Sequence, residues 1–360
     1  MKTLTIERLT RLAAIGEGPV VTLVGPVRKP HQRGRAELEW RHLTDAARGA
    51  LRDAAAMPSD VIDTIIAPIE HALADAWPSH ERGIAAVLSV DAYELYALTH
   101  DVEPFWAVGD RAAFHALVPV VDDPAALVLT LDLHDTRLYQ LAGGELQPMV
   151  LAALPRTLAD VVAPVEHGQH LTHHGGAHVG LGIVGIMHGE DDAGIERQHE
   201  LDAFCRAVDD ALSPVVASDD GRALVVAGVT DLVARLRNAA ARPERYVATI
   251  DGSPGRIGLH DLAVRARASL AERHDAATAA SIERFRARHG LGSASDDIAD
   301  IAAAAKDGRV DELLVPATLT PPSEAIGAID GAIADVLAGG GRVVVVPATL
   351  LGAVAATYRW

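Results

Sequence analysis

Strand-like and helical patterns alternate along the whole chain of 360 residues. β-Branched runs predict strands, and apolar residues that recur every three or four positions predict amphipathic helices. The strands predicted in the first third are 19–24, 84–90, 93–98 and 117–121. A predicted helix between the first two has an inner face of Trp40, Leu43, Ala47, Ala50 and Ala54. This alternation predicts an α/β or mixed α+β fold.

The middle third predicts a β-meander followed by helices and strands. Two connections define the meander: His134-Asp135, and a glycine hairpin at Ala142-Gly143-Gly144-Glu145. The predicted strands are 127–133, 136–141, 146–151, 223–228 and 246–250, and the predicted helices are 195–212 and two that start near Asp231 and His260. This order predicts a mixed sheet flanked by helices.

The last part predicts a small α/β/α sandwich. A helix ending at Gly290 precedes a second helix, 296–306, with Ser293 and Asp296 as a capping-box-like start. A helix capped by Ser323 has an inner face of Ile326, Ile329, Ile333 and Leu337, and the predicted strands are 310–315, 342–346 and 353–360. We expect four core residues to be buried here: Leu313, Leu314, Ile333 and Val344.

Length and pattern together predict three domains, at 1–123, 124–273 and 274–360. A chain of 360 residues is too long for one ordinary core. With 49% hydrophobic and 22% charged residues, it can bury several.

The charge balance limits the partners. A net charge of −17 argues against a broad surface that coats nucleic acid, so we expect no DNA partner and only local RNA contact. The densest positive cluster comprises Arg28, Lys29, Arg33, Arg35 and Arg41. We predict that this basic cluster contacts RNA. The alternative, a solvated helix start, remains open.

Other features predict a cytoplasmic monomer without membrane contact, cofactor or metal. The single cysteine, Cys205, excludes an intramolecular disulfide and a cysteine-based zinc cluster, and its apolar setting predicts a buried thiol. The N-terminus lacks the apolar run of a secretory signal. The longest uncharged apolar run, 343–357, is too short to span a bilayer.

Residues 165–192 (VEHGQHLTHHGGAHVGLGIVGIMHGEDD) lack regular periodicity and predict either a functional loop or a disordered one. The segment holds His167, His170, His173, His174, His178 and His188. A compositional histidine tract, a metal site, and an RNA or peptide contact are the alternatives. Its Gly180, Gly182 and Gly185 match G-x-G-x-x-G without the flanking strand and helix that nucleotide binding requires.

Four segments carry a family resemblance: VLTLDLHDTRLYQLAGGELQ (128–147), ERQHELDAFCRAVDDAL (196–212), ASDDIADIAAAAKDGRVDELLVP (294–316) and GGGRVVVVPATLLGAVAATYRW (339–360). Their order resembles that of the archaeal and eukaryotic class-one peptide-chain release factors and Pelota, in the divergent bacterial branch. The resemblance implies a ribonuclease-H-like middle domain and a third domain like the kink-turn-binding ribosomal proteins. It also implies work on the ribosome, with rRNA and tRNA as partners.

The chain departs from that family at two motifs. The Gly-Gly-Gln of peptidyl-tRNA hydrolysis and the Asn-Ile-Lys-Ser of stop-codon reading do not occur in it. The nearest strings are His167-Gly168-Gln169 and His174-Gly175-Gly176. We therefore expect a ribosome-associated factor of rescue, dormancy or stress that does not read stop codons and is not an enzyme. Its expected loop contacts are His167, His170, His173, His174, Gly175 and Gly176.

Two alternatives remain. In the first, the altered loop hydrolyses peptidyl-tRNA, with Gln169 orienting water beside Gly168 and His167. In the second, the protein is a histidine-dependent metal hydrolase unrelated to translation.

Overall fold

The computed structural model describes residues 2–13, 15, 18–27, 32–55, 57–75, 82–121, 126–142, 144–162, 191–216, 223–319 and 323–360. The chain divides into two compact units. The terminal unit combines Met1–Pro124 with Ala271–Trp360, and the middle unit is Ala125–Leu270. Within the described ranges, every helix is too short or too polar to cross a membrane.

The first segment of the terminal unit forms a five-stranded sheet with helices. In chain order its elements are β1 (Lys2–Thr3), α1 (Ile6–Leu12), β2 (Val20–Pro26), α2 (Arg33–Ala55), α3 (Ser59–Asp75), β3 (Gly83–Leu88), β4 (Tyr93–Leu98), β5 (Phe105–Gly109) and α4 (Phe114–Leu117). The strand order is β1-β4-β3-β2-β5, and β2 runs antiparallel to both β3 and β5. The short β1 and the longer β5 are therefore its edges.

Helices α2 and α3 cover one face of this sheet through a shared apolar cluster. The indole of Trp40 is buried there, and its Nε1 donates to the carbonyl oxygen of Pro26 at 3.1 Å. A Cβ at Gly25 would lie 2.6 Å from the Trp40 ring, closer than packed atoms approach. Only glycine therefore lets the ring lie on the strand.

The middle unit is a second five-stranded sheet between helices. Its elements are β6 (Ala126–Leu131), β7 (Arg137–Ala142), β8 (Glu145–Met149), α5 (Asp191–Val216), β9 (Leu224–Gly228), α6 (Thr230–Ala239), β10 (Tyr246–Asp251) and the start of α7 (Leu259–His289). The order is β10-β9-β6-β7-β8, with β6, β9 and β10 parallel and the β6–β7–β8 meander antiparallel. Helices α5 and α6 pack on one face, and α7 packs on the other.

The second segment of the terminal unit is a four-stranded sheet between helices. After the end of α7 come β11 (Ala294–Ser295), α8 (Ile298–Lys306), β12 (Val310–Pro316), α9 (Ser323–Ala338), β13 (Arg342–Val346) and β14 (Ala355–Tyr358). The order β11-β14-β12-β13 places β12 in the interior of the sheet, as predicted. Leu314 packs against Ile282 and Phe285 of α7, whereas Leu313 and Ile333 lie in a second cluster.

That second cluster joins the two segments of the terminal unit. Leu9 and Phe114 from the first segment lie in one core with Ile301, Leu313 and Ile333 from the second. The two segments therefore share a continuous apolar core. Whether 1–123 and 274–360 are separate domains stays a prediction.

The mixed α/β class, with several sheets and flanking helices, is confirmed. The strand predicted at 117–121 is wrong, because the chain there is the end of α4 and a 3₁₀ turn, Val118–Val120. Phe114, Leu117 and Val118 are all buried at helical spacing, and Pro119 cannot donate to a strand ladder.

Three further details of the last segment differ from expectation. The cap of α8 is Asp297, whose side chain accepts from the backbone nitrogens of Ala299 and Asp300, and not Ser293 with Asp296. Val344 is half-buried rather than buried, because β13 is an edge strand. The helices predicted on either side of residue 273 form the single helix α7.

Candidate functional site

The first candidate site is residues 165–192, here called the His/Gly segment. Residues 163–190 lie outside the described residues, and Asp191 and Asp192 already belong to α5. This applies to every candidate within it: His167, Gly168, Gln169, His170, His173, His174, Gly175 and Gly176. The structure describes the chain on both sides of the segment. These flanks belong to the middle unit, and they establish what holds the segment at each end.

The upstream flank is a polar turn fastened to the β6–β7 connection. The carboxylate of Asp160 accepts from the backbone nitrogens of Thr157 and Arg156 at 2.8 and 2.9 Å, which closes a capping box around the 3₁₀ turn Leu158–Asp160. The hydrogen bond from Thr157 is the main cause that lowers the pKa of Asp160. Two backbone bonds, Leu158 N to Leu133 O and Thr136 N to Arg156 O, tie the turn to the connection.

An exposed ion-pair network reinforces this flank. Oδ1 of Asp135 accepts from Arg156 Nη2 at 2.8 Å and from Arg137 Nε at 3.0 Å. The Arg137 hydrogen bond, followed by that of Arg156, lowers the pKa of Asp135. Exposed pairs contribute little stability individually, so the network mainly fixes where the chain enters the segment. Sequence reasoning noted His134-Asp135 only as a connection, because nothing local indicates the Arg156 partner.

The downstream flank is the start of α5, which extends beyond the core. Ile195 through His199 are all exposed, and Phe204 is the first buried residue among the α5 side chains that the structure describes. At 1.5 Å per residue, Asp191 to Phe204 spans about 20 Å of helix. One turn before Phe204, Leu201 of α5 packs into the same apolar cluster as Leu158 and Val161 of the upstream flank. Both flanks are thus anchored in one cluster of the middle unit.

Cys205 follows in α5 and is a buried thiol, which confirms the sequence prediction. Burial raises its pKa to about 11, so the thiolate is scarce at neutral pH. Cys205 is therefore unsuited to act as a nucleophile beside the segment.

The basic cluster is the second candidate site. Arg28 and Lys29 lie outside the described residues, whereas Arg33, Arg35 and Arg41 are exposed on α2. Arg33 Nε pairs with Glu37 Oε1 at 2.7 Å, and Arg35 Nε pairs with Glu39 Oε1 at 3.2 Å. No carboxylate in the described ranges pairs with Arg41.

The arginine side chains also point to different sides of the α2 axis. At about 100° per residue, Arg35 and Arg41 lie about 120° apart around the axis of α2. The described part of the cluster therefore lies on the first turns of α2, where Arg33 and Arg35 pair with glutamates, and its three arginines do not form a single basic face. Its role in RNA binding stays a prediction.

Among the described residues, no group of three or more His, Cys, Asp or Glu side chains is placed to hold a metal ion. The histidines of the His/Gly segment are outside that statement, because they are not described.

Comparison with known sequences defines the class of the protein. A profile of the bacterial archaeo-eukaryotic release factor family 3 matches residues 127–309, just over half of the 360-residue chain. The match defines a release-factor-like translation factor. The chain belongs to the bacterial archaeo-eukaryotic release factor family 3. The resemblance to the bacterial branch of the release-factor family, predicted from the sequence, is thereby confirmed. No curated protein sequence matches the chain.

Three solved structures show similarity at low identity. An archaeal translation termination factor, aRF1, is 14% identical over 99% of both chains, with a TM-score of 0.25. Archaeoglobus fulgidus Pelota is 13% identical over 100% of this chain and 94% of its own, with a TM-score of 0.30. S. cerevisiae Dom34 is 11% identical over 75% and 74%, with a TM-score of 0.44. At such identities and TM-scores, the similarity carries no functional argument.

Proposed function

We propose that this protein binds ribosomes in the cytoplasm, contacts rRNA and tRNA, and acts in translation stress, ribosome rescue or dormancy. The observation that carries the proposal is the release-factor family match, which includes nearly all of the middle unit and continues to residue 309. The candidate segment and both of its flanks lie inside that match. The middle unit serves as the platform that presents the segment to the ribosome.

The protein does this without reading stop codons and without hydrolysing peptidyl-tRNA. Asn-Ile-Lys-Ser and Gly-Gly-Gln are absent from the sequence. Gly168-Gln169 and Gly175-Gly176 are separated along the chain, so mimicking the intact motif requires ordering the residues between them. Ordering costs about 1–2 kcal/mol per residue, and the arrangement is not pre-organised for catalysis.

Cosedimentation with purified ribosomes tests the binding proposal. We expect the protein to sediment with ribosomes at low salt and to dissociate as salt rises, because phosphate contacts release counterions. Binding should not depend on which codon occupies the decoding site. Failure to sediment at any salt concentration, with ribosomes vacant or carrying peptidyl-tRNA, would refute the proposal.

Reversing the charges of Arg33 and Arg35 to glutamate should weaken that cosedimentation and reduce its salt dependence. Each exposed pair that is lost contributes about 0.3–0.5 kcal/mol, so the free energy of unfolding should change by only about 1 kcal/mol. The control is Arg52→Glu, an exposed reversal on the same helix and outside the basic cluster. If the double variant sediments like the wild type, the cluster is not part of the binding surface.

Release of a labelled peptide from stalled ribosomes distinguishes binding from hydrolysis. We expect binding without release, both for the wild type and for Gln169→Ala. The control variant is Gln147→Ala, an exposed glutamine on β8 of the middle unit. Release by the wild type that is lost in Gln169→Ala but retained in Gln147→Ala would establish the hydrolase alternative. The metal hydrolase alternative gains no support from the family match.

A further inference from the structure

Glu312 is a buried carboxylate beside two arginines in the last segment of the terminal unit. It is 1% exposed on the interior strand β12, two residues before Leu314, so it lies on the sheet face that α7 covers. The strand register places it beside Arg342 of β13 on one side and Thr357 of β14 on the other. Burial of a carboxylate is unfavourable unless a cation and hydrogen-bond donors surround it.

Helix α7 supplies the groups that satisfy this carboxylate. Ser281 Oγ donates to Oε1 of Glu312 at 3.0 Å, and Nη2 of Arg284 donates to both carboxylate oxygens at 3.1 Å. Ser281 and Arg284 are three residues apart, which places them on the same side of the helix. One guanidinium and one hydroxyl therefore already provide Glu312 with a counter-charge and three hydrogen bonds.

Arg342 is a surplus positive charge at this carboxylate. Its Nη2 lies 3.4 Å from Oε1 of Glu312, in an ion pair without a hydrogen bond, and its side chain is 62% exposed. Both guanidiniums approach the same oxygen, Oε1, so Arg284 and Arg342 lie side by side. Two like charges at such short range repel each other, and a single carboxylate offsets only one of them. An anion bound between the two arginines would offset the other.

Arg288 adds to the surplus one turn farther along α7. Its Nη1 donates to the backbone carbonyl oxygen of Tyr358 at 3.0 Å, and the carboxylate of Asp311 is 4.0 Å away. The side chains of Arg284 and Arg288 remain 42% and 40% exposed. At this point three arginines face two carboxylates, in a chain whose net charge is −17.

The unused donors of Arg284 and Arg342 suit a phosphate. Within the described ranges, both guanidiniums contact Glu312 through Nη2, and no hydrogen bond uses Nε or Nη1 of either. Guanidinium groups bind two oxygens of a phosphate through parallel N–H donors. Because Glu312 already holds both guanidiniums in place, less side-chain freedom is lost when an anion binds.

We propose that Arg284 and Arg342 form a binding site for a phosphate of an RNA backbone, and that Arg288 strengthens its positive potential. RNA is the occupant because the surplus charge is complementary to phosphate, and this choice rests on the proposed function, ribosome binding. The contact is independent of base sequence, because backbone phosphates carry no sequence information directly.

Fluorescence anisotropy with labelled fragments of ribosomal RNA tests the site. Arg342→Gln should lower the affinity about threefold or more at low salt, because one phosphate contact is lost. The slope of log affinity against log salt should become shallower by about 0.7–0.9 for the same reason. Arg342→Lys keeps the charge but not the planar fork, so it should keep the wild-type slope. Arg342→Gln leaves Ser281 and Arg284 on Glu312, so the protein should remain folded, which circular dichroism checks.

The matched control is Arg286→Gln. Arg286 follows Arg284 by two residues, so at about 100° per residue it points to the opposite side of α7. Its side chain is 58% exposed and pairs with Glu283 at 2.6 Å. The control removes the same charge from the same helix, and it should leave the affinity and the salt slope close to those of the wild type.

Competition identifies the chemistry of the occupant. At equal ionic strength, inorganic phosphate should displace the RNA fragments from the wild type more effectively than chloride, and Arg342→Gln should lose this difference. Arg342-dependent binding of inorganic phosphate without binding of RNA would overturn the proposal in favour of a small-anion site. Arg342-dependent binding of polyglutamate without binding of RNA would overturn it in favour of an acidic polypeptide.

The RNA-fragment measurement is separate from cosedimentation with ribosomes. Equal affinities and slopes for Arg342→Gln and Arg286→Gln overturn the phosphate site, even if the protein sediments with ribosomes. RNA binding that depends on Arg342, in a protein that does not sediment with ribosomes, supports the site and counts against the proposed function.

Discussion

Replacing Asp330 by alanine should lower the free energy of unfolding of the terminal unit by about 3–5 kcal/mol. Both carboxylate oxygens of Asp330 lie 3.0 Å from Nδ1 of His115, and Oδ1 also accepts from the His115 backbone nitrogen at 2.6 Å. The pair is buried, with His115 8% and Asp330 6% exposed. A carboxylate only accepts, so Nδ1 carries the hydrogen. Alanine would leave two buried donors without an acceptor.

The location of the His115–Asp330 pair explains why we expect Asp330→Ala to lower the free energy of unfolding so strongly. His115 lies in α4 and Asp330 in α9, so the pair links the first segment of the terminal unit to the second. The ring of Phe105 stands edge-on to the imidazole, with centroids 5.5 Å apart at 83°. Ile329 and Ile333 flank Asp330 within the core shared by both segments. Loss of the carboxylate therefore weakens the packing of one segment on the other.

Tryptophan fluorescence during urea unfolding measures this effect selectively. All four tryptophans lie in the segments of the terminal unit and none lies in 125–270, so the signal reports on that unit. Asp330→Asn retains one acceptor and should be clearly less destabilised than Asp330→Ala. The control is Asp335→Ala, a half-buried position on the same helix, with an expected change of about 0.5 kcal/mol. Equal losses for Asp330→Ala and Asp335→Ala would exclude the buried pair as a major source of stability.

The link between His115 and Asp330 could not be predicted from the sequence. The two residues are 215 positions apart, and neither lies in a pattern that indicates a partner. Helices and strands can be predicted from the sequence, because apolar residues on their buried face recur every three to four or every two positions along the chain. This is why β12 and α9 were predicted close to their observed positions, and why Trp40, Leu43 and Ala47 of the predicted inner face of α2 are buried. The strand predicted at 117–121 failed where β-branched residues lie in a short helix instead.

At the candidate site, too, the sequence predicts which residues are unusual but not which distant residues they contact. Composition alone marked 165–192 as unusual, since histidines and glycines are read directly from the sequence. Its upstream flank is held by a hydrogen bond between Asp135 and Arg156. These residues are 21 positions apart, and the chain passes through β7 and β8 between them. The basic cluster was equally visible, but its pairing with Glu37 and Glu39 required knowing that α2 already begins at Arg33. The sequence thus identified the chemical groups, whereas their pairing depends on tertiary contacts.

Replacing Leu314 by alanine should cost about 2–5 kcal/mol, as for other buried large-to-small changes. Leu314 is fully buried on the interior strand β12, where it pairs in register with Val344 of β13 and Ala355 of β14. Its side chain packs against Ile282 and Phe285 of α7. Strands on both sides and a helix above leave the surroundings little room to collapse, so a cavity should remain.

The same fluorescence measurement compares Leu314→Ala with two variants of graded burial. Val344→Ala, at a half-buried position on the edge strand β13, should cost clearly less. Leu291→Ala, where the side chain is 80% exposed, should change stability by about 0.5 kcal/mol or less. The order Leu314, Val344, Leu291 follows from burial, because each apolar group stabilises the fold by the area that it removes from water. A cost below about 0.5 kcal/mol for Leu314→Ala would contradict the interior position of β12.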